Sequence, residues 1–97
     1  LRGTFLDDAL LPRANGQGTD FSFTSMRHTV LRGSNLTGAN FSGSDLWATD
    51  FNSANLTNAN ITKARLTSAK LTYAILDGAD FTGSIMPDGT EPEDAPN

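Results

Sequence analysis

The sequence lacks the residues on which several classes of protein chemistry depend. Its 97 residues contain no cysteine and a single histidine, His28. This composition excludes disulfides, cysteine-based zinc or iron–sulfur sites and sites built from several histidines. No apolar run approaches the about 20 residues of a membrane span. We therefore expect one small domain without a metal, a cofactor or a membrane segment.

Charge is sparse and unevenly placed. Charged residues make up 19% of the chain, and the formal net charge is −4. Residues 1–86 contain seven basic and seven acidic side chains, so the whole surplus lies in the tail, in Asp88, Glu91, Glu93 and Asp94. This composition, together with its prolines, predicts that residues 87–97 form a short disordered tail. The chain begins at Leu1 without a charged segment followed by an apolar one, so we expect a piece of a larger, cytoplasmic protein.

A period of five residues runs through residues 1–86. Positions 4, 9, 14 and onward to 84 are Ala, Ser or Thr at all seventeen places. Two residues later, positions 1 through 86 are Leu, Phe, Met or Ile at seventeen of eighteen places, with Gly16 as the exception. The residue between the two is Asn or Asp at nine of seventeen places. Neither a helix nor a plain strand has this period, so it predicts a bend every five residues.

Glycines mark the predicted bends. Seven of the nine glycines lie two residues after the large apolar position, where a type II turn requires positive φ. Phe23, Lys63 and Tyr73 occupy the same position, and their side chains predict a different turn there. Four bends close a square, so 20 residues form one coil and residues 20 apart stack on each other at about 4.8 Å. The pattern predicts an all-β solenoid of about four coils with a mixture of turn types.

Runs such as SNLTG, ANFSG, ANLTN and ADFTG resemble the pentapeptide repeat family, whose consensus is A-(D/N)-L-x-x. The resemblance covers residues 1–86 and departs from the consensus at Phe5, Leu10, Gly16, Ile75 and Ile85. It implies a right-handed quadrilateral β-helix for 1–86. It also implies a non-catalytic interaction or scaffolding module, since such repeats occur fused to other domains, including bacterial Ser/Thr protein kinases.

One side of the predicted coil carries a candidate interaction surface. Trp47 lies one coil above Arg27, a composition found at binding hot spots, although the tryptophan could equally cover Arg27 as a local cation–π contact. The 20-residue stacking also predicts that Asp45 pairs with Arg65 and Asp50 with Lys70, whereas amide ladders are expected in the Asn15, Asn35 and Asn55 column. The candidate surface comprises Arg27, His28, Val30, Asp45, Trp47, Arg65, Lys70 and Tyr73.

The first coil carries a second candidate site. Phe5 and Leu10 occupy outward positions on a coil whose strand edge is open, and such an edge promotes aggregation unless it is covered. We expect an upstream segment or a second copy, as an end-to-end homodimer, to cover it; a frayed first coil is the alternative.

Two functions compete once catalysis is set aside. No nucleophilic side chain lies at a spacing from His28 that indicates a catalytic pair, and the aspartates are spread over all four sides of the coil. We therefore expect no catalytic residues. The first function is a protein–protein interaction module that regulates or targets a multidomain protein such as a Ser/Thr kinase. The second, which some pentapeptide repeat proteins suggest, is mimicry of DNA towards DNA gyrase. Because residues 1–86 carry no net charge, the sequence favours the first and predicts no binding of nucleic acid.

Overall fold

Single-residue parallel bridges organise the chain. The structure is a computed structural model and describes residues 2–87; the acidic tail predicted for 87–97 lies outside these residues except for Pro87. Thirteen parallel bridges are found, from Phe5 with Ser25 to Arg65 with Ile85, and each joins residues 20 apart. Each bridge is one residue long, so the described residues contain no helix and no extended strand. We call residues 2–21, 22–41, 42–61 and 62–81 coils 1 to 4.

Each quarter of a coil is bonded to the next coil by the same three hydrogen bonds. In coil 1, the Leu6 N–H donates to the Ser25 C=O at 2.7 Å and the Asp8 N–H donates to the Arg27 C=O at 2.9 Å. The Ser25 N–H donates back to the Thr4 C=O at 3.0 Å. Because every coil is held by its neighbours in this way, the fold is stabilised along one axis, as in other repeat proteins.

The large apolar residues fill the inside of the coils. Phe21 and Phe41 stack with ring centroids 5.0 Å apart and planes 6° apart, and Phe51 meets Phe41 edge-on at 5.5 Å. Leu6, Leu11, Leu71 and Leu76, towards the two ends, are only partly buried. At Gly16 a Cβ would lie 2.8 Å from Leu36 Cδ2, so Leu36 occupies the space that a large side chain has in the other coils.

Every corner uses positive φ, whatever residue is present. The glycines there have φ of 67° to 75°, while Phe23, Lys63 and Tyr73 have φ of 54°, 53° and 61°. The different turn predicted at these three residues is therefore not a matter of the sign of φ. At Phe23 and Lys63 the corner does differ, in its hydrogen bonds, whereas the corner at Tyr73 is closed like those of the glycines. The N–H groups of Phe23 and Lys63 lie in the ladder between coils, as in the 2.9 Å bond from Phe23 to the Ser42 C=O, and this bonding holds these two corners in place.

The corners nevertheless fall into two kinds. Most are closed by a direct backbone bond, such as the one from the Ala39 N–H to the Leu36 C=O at 3.0 Å. At the corner Phe21–Thr24, the Ser44 hydroxyl is inserted instead: it accepts from the Thr24 N–H at 3.1 Å and donates to the Phe21 C=O at 2.5 Å. Ser34 and Ser84 open the corners at 11–14 and 61–64 in the same way. The serine that opens a corner thus lies in the following coil.

Candidate functional site

Four outward columns and the corners between them form the surface. The first face carries Phe5, Ser25, Asp45, Arg65 and Ile85; the second Leu10, Val30, Asp50 and Lys70; the third Asn15, Asn35, Asn55 and Ile75; and the fourth Asp20, Asn40, Asn60 and Asp80. The first corner, between the first and second faces, comprises 7–8, 27–28, 47–48 and 67–68. The second corner, beyond the second face, comprises 12–13, 32–33, 52–53 and 72–73.

An aromatic and cationic cluster occupies the first corner. The Arg27 guanidinium carbon lies 4.9 Å from the centroid of the Trp47 ring, and the His28 ring meets Trp47 edge-on at 4.8 Å. Trp47 is half-buried rather than exposed, because these two side chains of the preceding coil cover part of it. The local cation–π contact considered in the sequence analysis is therefore present, and the tryptophan still presents part of its surface to solvent.

Asp45 links the cluster to the next coil. Its Oδ2 lies 3.8 Å from Arg27 Nε and 3.9 Å from Arg65 Nη1, so one carboxylate is shared by arginines of the coils on either side. These groups are about one-third to one-half exposed, and each such pair contributes less than about 1 kcal/mol. The pairing of Asp45 with Arg65 is confirmed, and the contact with Arg27 was not predicted.

The second predicted ion pair does not form. Asp50 and Lys70 are bridged neighbours, but within residues 2–87 no ion pair joins them. The Asp50 carboxylate instead accepts from the Asn52 N–H at 2.9 Å. Asp45 accepts the equivalent bond from the Trp47 N–H at 3.2 Å through Oδ1 and keeps its ion pairs through Oδ2, so the local bond alone does not account for the missing pair.

The same local bond explains the Asn and Asp column. On the third face, Asn35 Oδ1 accepts from the Thr37 N–H at 3.2 Å and from the Thr37 hydroxyl at 2.8 Å. On the fourth face, Asn40 Oδ1 accepts from the Ser42 N–H at 2.9 Å. The inter-coil amide ladders expected from the sequence are thus replaced by bonds within one coil, because the corner N–H two residues on otherwise points to solvent without a partner.

Among the corners that lack the local Asn or Asp acceptor, two take an acceptor from the preceding coil. Ser25 stands where Asn or Asp is usual, and there Asp7 Oδ1 accepts from the Arg27 N–H at 2.9 Å and from the Ser25 hydroxyl at 2.7 Å. Asn52 does the same for the Thr72 N–H at 2.9 Å. Asp7 was not predicted from the sequence, although it holds the Arg27 backbone. The sequence feature that could have indicated it is the serine at position 25, where Asn or Asp would supply the acceptor.

Hydrogen bonds to three of the aspartates make the stability of the fold depend on pH in the acidic range. Hydrogen bonds lower the pKa of Asp7, Asp20 and Asp80 below the usual 3.8, through Ser25, Ser22 and Thr82 respectively. A carboxyl whose folded pKa is depressed stabilises the fold above its unfolded pKa and loses that contribution as the pH falls through the folded pKa. Urea unfolding of D7N/D20N/D80N should therefore show a smaller loss of stability below about pH 3.8 than the unchanged chain.

The matched control for this acid titration is Asp77→Asn. The Asp77 carboxylate accepts no hydrogen bond in the described part of the chain, so this variant removes one acidic side chain without removing a hydrogen bond. Equal slopes for the triple variant and the unchanged chain would contradict the role of the three carboxylates.

The structure brings together five of the eight candidate surface residues. Arg27, His28, Asp45, Trp47 and Arg65 form one connected cluster. Val30 and Lys70 lie beside it on the second face, whereas Tyr73 lies at the second corner and is 86% exposed. The candidate surface therefore wraps around the first corner and extends across the second face.

Phe5 and Leu10 lie on the outside of the first coil, as the spacing predicts. Phe5 is 84% exposed and Leu10 75%, and both continue the columns of the first and second faces. Within residues 2–87, the N–H groups of Phe5 and Leu10 donate no ladder bond of the kind that the N–H groups of Ser25 and Val30 donate to the preceding coil. Coverage of this edge by another coil or copy stays a prediction.

Other kinds of site are not seen in residues 2–87. No group of three or more His, Asp or Glu side chains that could hold a metal ion is found there. The same residues include no helix of the length and apolarity that crossing a membrane requires. Every buried side-chain polar atom there has a hydrogen-bond partner.

Comparisons with known proteins identify the repeat. The sequence profile described as pentapeptide repeats matches residues 1–33, 17–52, 34–72 and 49–86. No curated protein matches. The fluoroquinolone resistance protein QnrB1 is 23% identical over 82% of this chain and 44% of its own, with a TM-score of 0.43, a likeness too small to carry an argument about function.

Two solved cyanobacterial structures are more similar. The pentapeptide repeat protein Rfr23 of Cyanothece 51142 is 28% identical, covers 79% of this chain and 60% of its own, and has a TM-score of 0.58. The pentapeptide repeat protein alr5209 of Nostoc PCC 7120 is 30% identical, covers 95% of this chain and 73% of its own, and has a TM-score of 0.62. The chain thus spans about three-fifths of the length of Rfr23. With the repeat profile matched across residues 1–86, the chain belongs to the pentapeptide repeat family and is a right-handed β-helix.

Proposed function

We propose that this chain is a non-catalytic protein–protein interaction module that regulates or targets a multidomain protein, for example a bacterial Ser/Thr protein kinase. The scaffold we infer for it is a square solenoid of about four 20-residue coils with two kinds of corner. The observation that carries the proposal is the connected cluster of Trp47, Arg27, His28, Asp45 and Arg65 on the outside of a filled core.

The chemistry of this cluster suits a protein surface. Trp and Arg dominate binding hot spots because they bury a large area and still satisfy polar groups. Here Trp47 is already oriented by Arg27 and His28, and Arg27 is held through its backbone by Asp7. A side chain fixed before binding loses less conformational entropy when a partner covers it.

Removal of the two central side chains tests this proposal. The variant R27A/W47A should lose at least about tenfold in affinity for the protein that the unchanged chain binds in extracts of its own cells. The matched control is Gln17→Ala, at the opposite corner, which should bind as the unchanged chain does. Circular dichroism should show that both variants stay folded, and equal capture by R27A/W47A would overturn the surface assignment.

Mimicry of DNA is not proposed for this chain. A mimic of duplex DNA needs a dense negative surface, since DNA carries two charges per base-pair step of about 3.4 Å. Residues 1–86 have equal numbers of acidic and basic side chains, and Asp45 is shared between two arginines. No feature of the described residues favours this second function.

A further inference from the structure

The second face and its two corners carry charge that alternates from coil to coil. Residues 7–13 sum to −1, 27–33 to +2, 47–53 to −1 and 67–73 to +1. The charged members are Asp7, Asp8 and Arg13, then Arg27 and Arg32, then Asp50, then Lys70, and each of these side chains is exposed or half-buried. When a second copy is turned so that its coils run in the reverse order, each negative coil faces a positive one.

We propose that the second face is a self-association surface on which two copies of this chain pack side by side in antiparallel orientation. A two-fold axis that lies in the interface and runs across the coils reverses their order and leaves each column facing itself. Coil 1 of one copy then faces coil 4 of the other, and coil 2 faces coil 3, so rows of opposite sign meet throughout. This inference goes beyond the proposed function, because its partner is a second copy and not another protein.

The neutral and apolar positions on this face match the charged ones. In coil 2 the central residue is Val30 with an arginine on each side, whereas in coil 3 the central residue is Asp50 with the uncharged Trp47 and Asn52 at the corresponding positions. The antiparallel arrangement places Asp50 of the second copy over Val30, between Arg27 and Arg32. The carboxylate thereby gains two cations without displacing a like charge.

Coils 1 and 4 match in the same way. The arrangement places Lys70 of the second copy opposite Leu10, so that its aliphatic stem packs on the leucine and its ammonium group reaches Asp7 and Asp8. Leu10 is 75% exposed, and its burial is favourable by up to about 2 kcal/mol. Tyr73 of the second copy, at the second corner, comes opposite Arg13, a pair suited to a cation–π contact.

Apart from Arg27, which is paired with Asp45, the charges concerned form no ion pair within the described residues of one chain. In residues 2–87 the ion pairs join Arg27, Asp45 and Arg65, so Asp8, Arg32, Asp50 and Lys70 form none. Other registers are unfavourable. In a parallel pair each coil would face its own copy, and like charges would meet in all four rows.

The size of the face makes the predicted dimer weak. Four coils at about 4.8 Å give a face roughly 20 Å high, and with a similar width it buries about 800 Å² in total, below the 1,200–2,000 Å² of stable complexes. We therefore expect dimers only at high protein concentration, and we expect salt to dissociate them because the matching groups are solvent-exposed.

A charge exchange between two variants tests the proposal. Sedimentation equilibrium of the unchanged chain should show dimers at about 1 mM protein in about 20 mM salt and monomers in about 0.5 M salt. R32D and D50R should each raise the dimer dissociation constant at least about tenfold. An equimolar mixture of R32D and D50R should associate again, because Asp50 of one copy then meets Arg27 and Arg32 of the other, while the two new side chains form a pair.

Two charge reversals away from this face are the matched controls. Lys63→Asp and Asp77→Arg change charge by the same amounts at other corners and should leave the dissociation constant within about twofold of the original. The mixture separates loss of the contact from damage to the fold, since a misfolded variant is not rescued by its counterpart. A monomer at low salt, association that persists in both variants, or a mixture that stays monomeric would overturn the proposal.

Discussion

Replacement of Phe41 by alanine should destabilise the protein by about 3–5 kcal/mol, enough to unfold a domain of this size at moderate temperature. Phe41 is completely buried, stacks on Phe21 and meets Phe51 edge-on. Because these three rings link adjacent coils, the cavity left by F41A cannot be filled by collapse of one coil alone. Urea unfolding followed by circular dichroism should show a much lower midpoint.

A second phenylalanine provides the control for F41A. Phe23 has the same side chain but lies at a corner and is 60% exposed, so Phe23→Ala should cost less than about 1 kcal/mol. If F41A and F23A lost equal stability, the stacked interior would not be the main source of stability. The description of a fold stabilised along one axis by its stacked coils would then be wrong.

The second large effect is expected at Ser44, whose hydroxyl opens a corner of the preceding coil. Ser44 is buried and satisfies both the Thr24 N–H and the Phe21 C=O. Ser44→Ala removes both bonds and leaves two buried backbone groups to find a new partner, at a cost of about 1–3 kcal/mol. The free energy of unfolding in urea measures the loss.

Two further variants show whether the cost comes from the opened corner. Ser68 is exposed, and Ser68→Ala should change stability by less than about 0.5 kcal/mol. Ser44→Thr should lose less stability than S44A, because a threonine hydroxyl at the equivalent place can still donate to the C=O of the preceding coil. Thr49 does so: it donates to the Met26 C=O at 2.6 Å, and the corner 26–29 is closed by its own backbone bond. A loss of stability below about 0.5 kcal/mol for S44A would show that the Thr24 N–H and the Phe21 C=O can bond directly to each other and that the serine is not needed.

The bend at every fifth residue and the stacking of residues 20 apart were predictable because both arise from the spacing of residue types. Phe21 and Phe41 stack for this reason. The kind of corner was not predictable from its own residues: at Phe23 it depends on Ser44, one coil later. Phe23 lies at an opened corner and Tyr73 at a closed one, so an aromatic residue at this position does not by itself decide the kind of corner, and the serine one coil later is also needed.

The candidate site was predictable in position but not in contacts. The stacking rule placed Trp47 beside Arg27 and Asp45 beside Arg65, and both contacts are present. It failed for Asp50, which makes no ion pair with Lys70 although Asp45 and Asp50 both accept from the N–H two residues on. Vertical adjacency alone therefore does not decide which partner a side chain takes.

The repeated ladder between coils has a consequence for how such chains diverge in length. Duplication or loss of 20 residues would leave every remaining column in line, so the surface pattern would survive. Duplication or loss of five residues would preserve the interior equally well, but it would turn everything downstream by a quarter of a revolution. Lys70 would then leave the column of Leu10 and Val30. A change of one, two or three five-residue repeats thus moves residues to a different face at little cost in stability. Selection for binding should therefore favour changes of four repeats, which are whole coils.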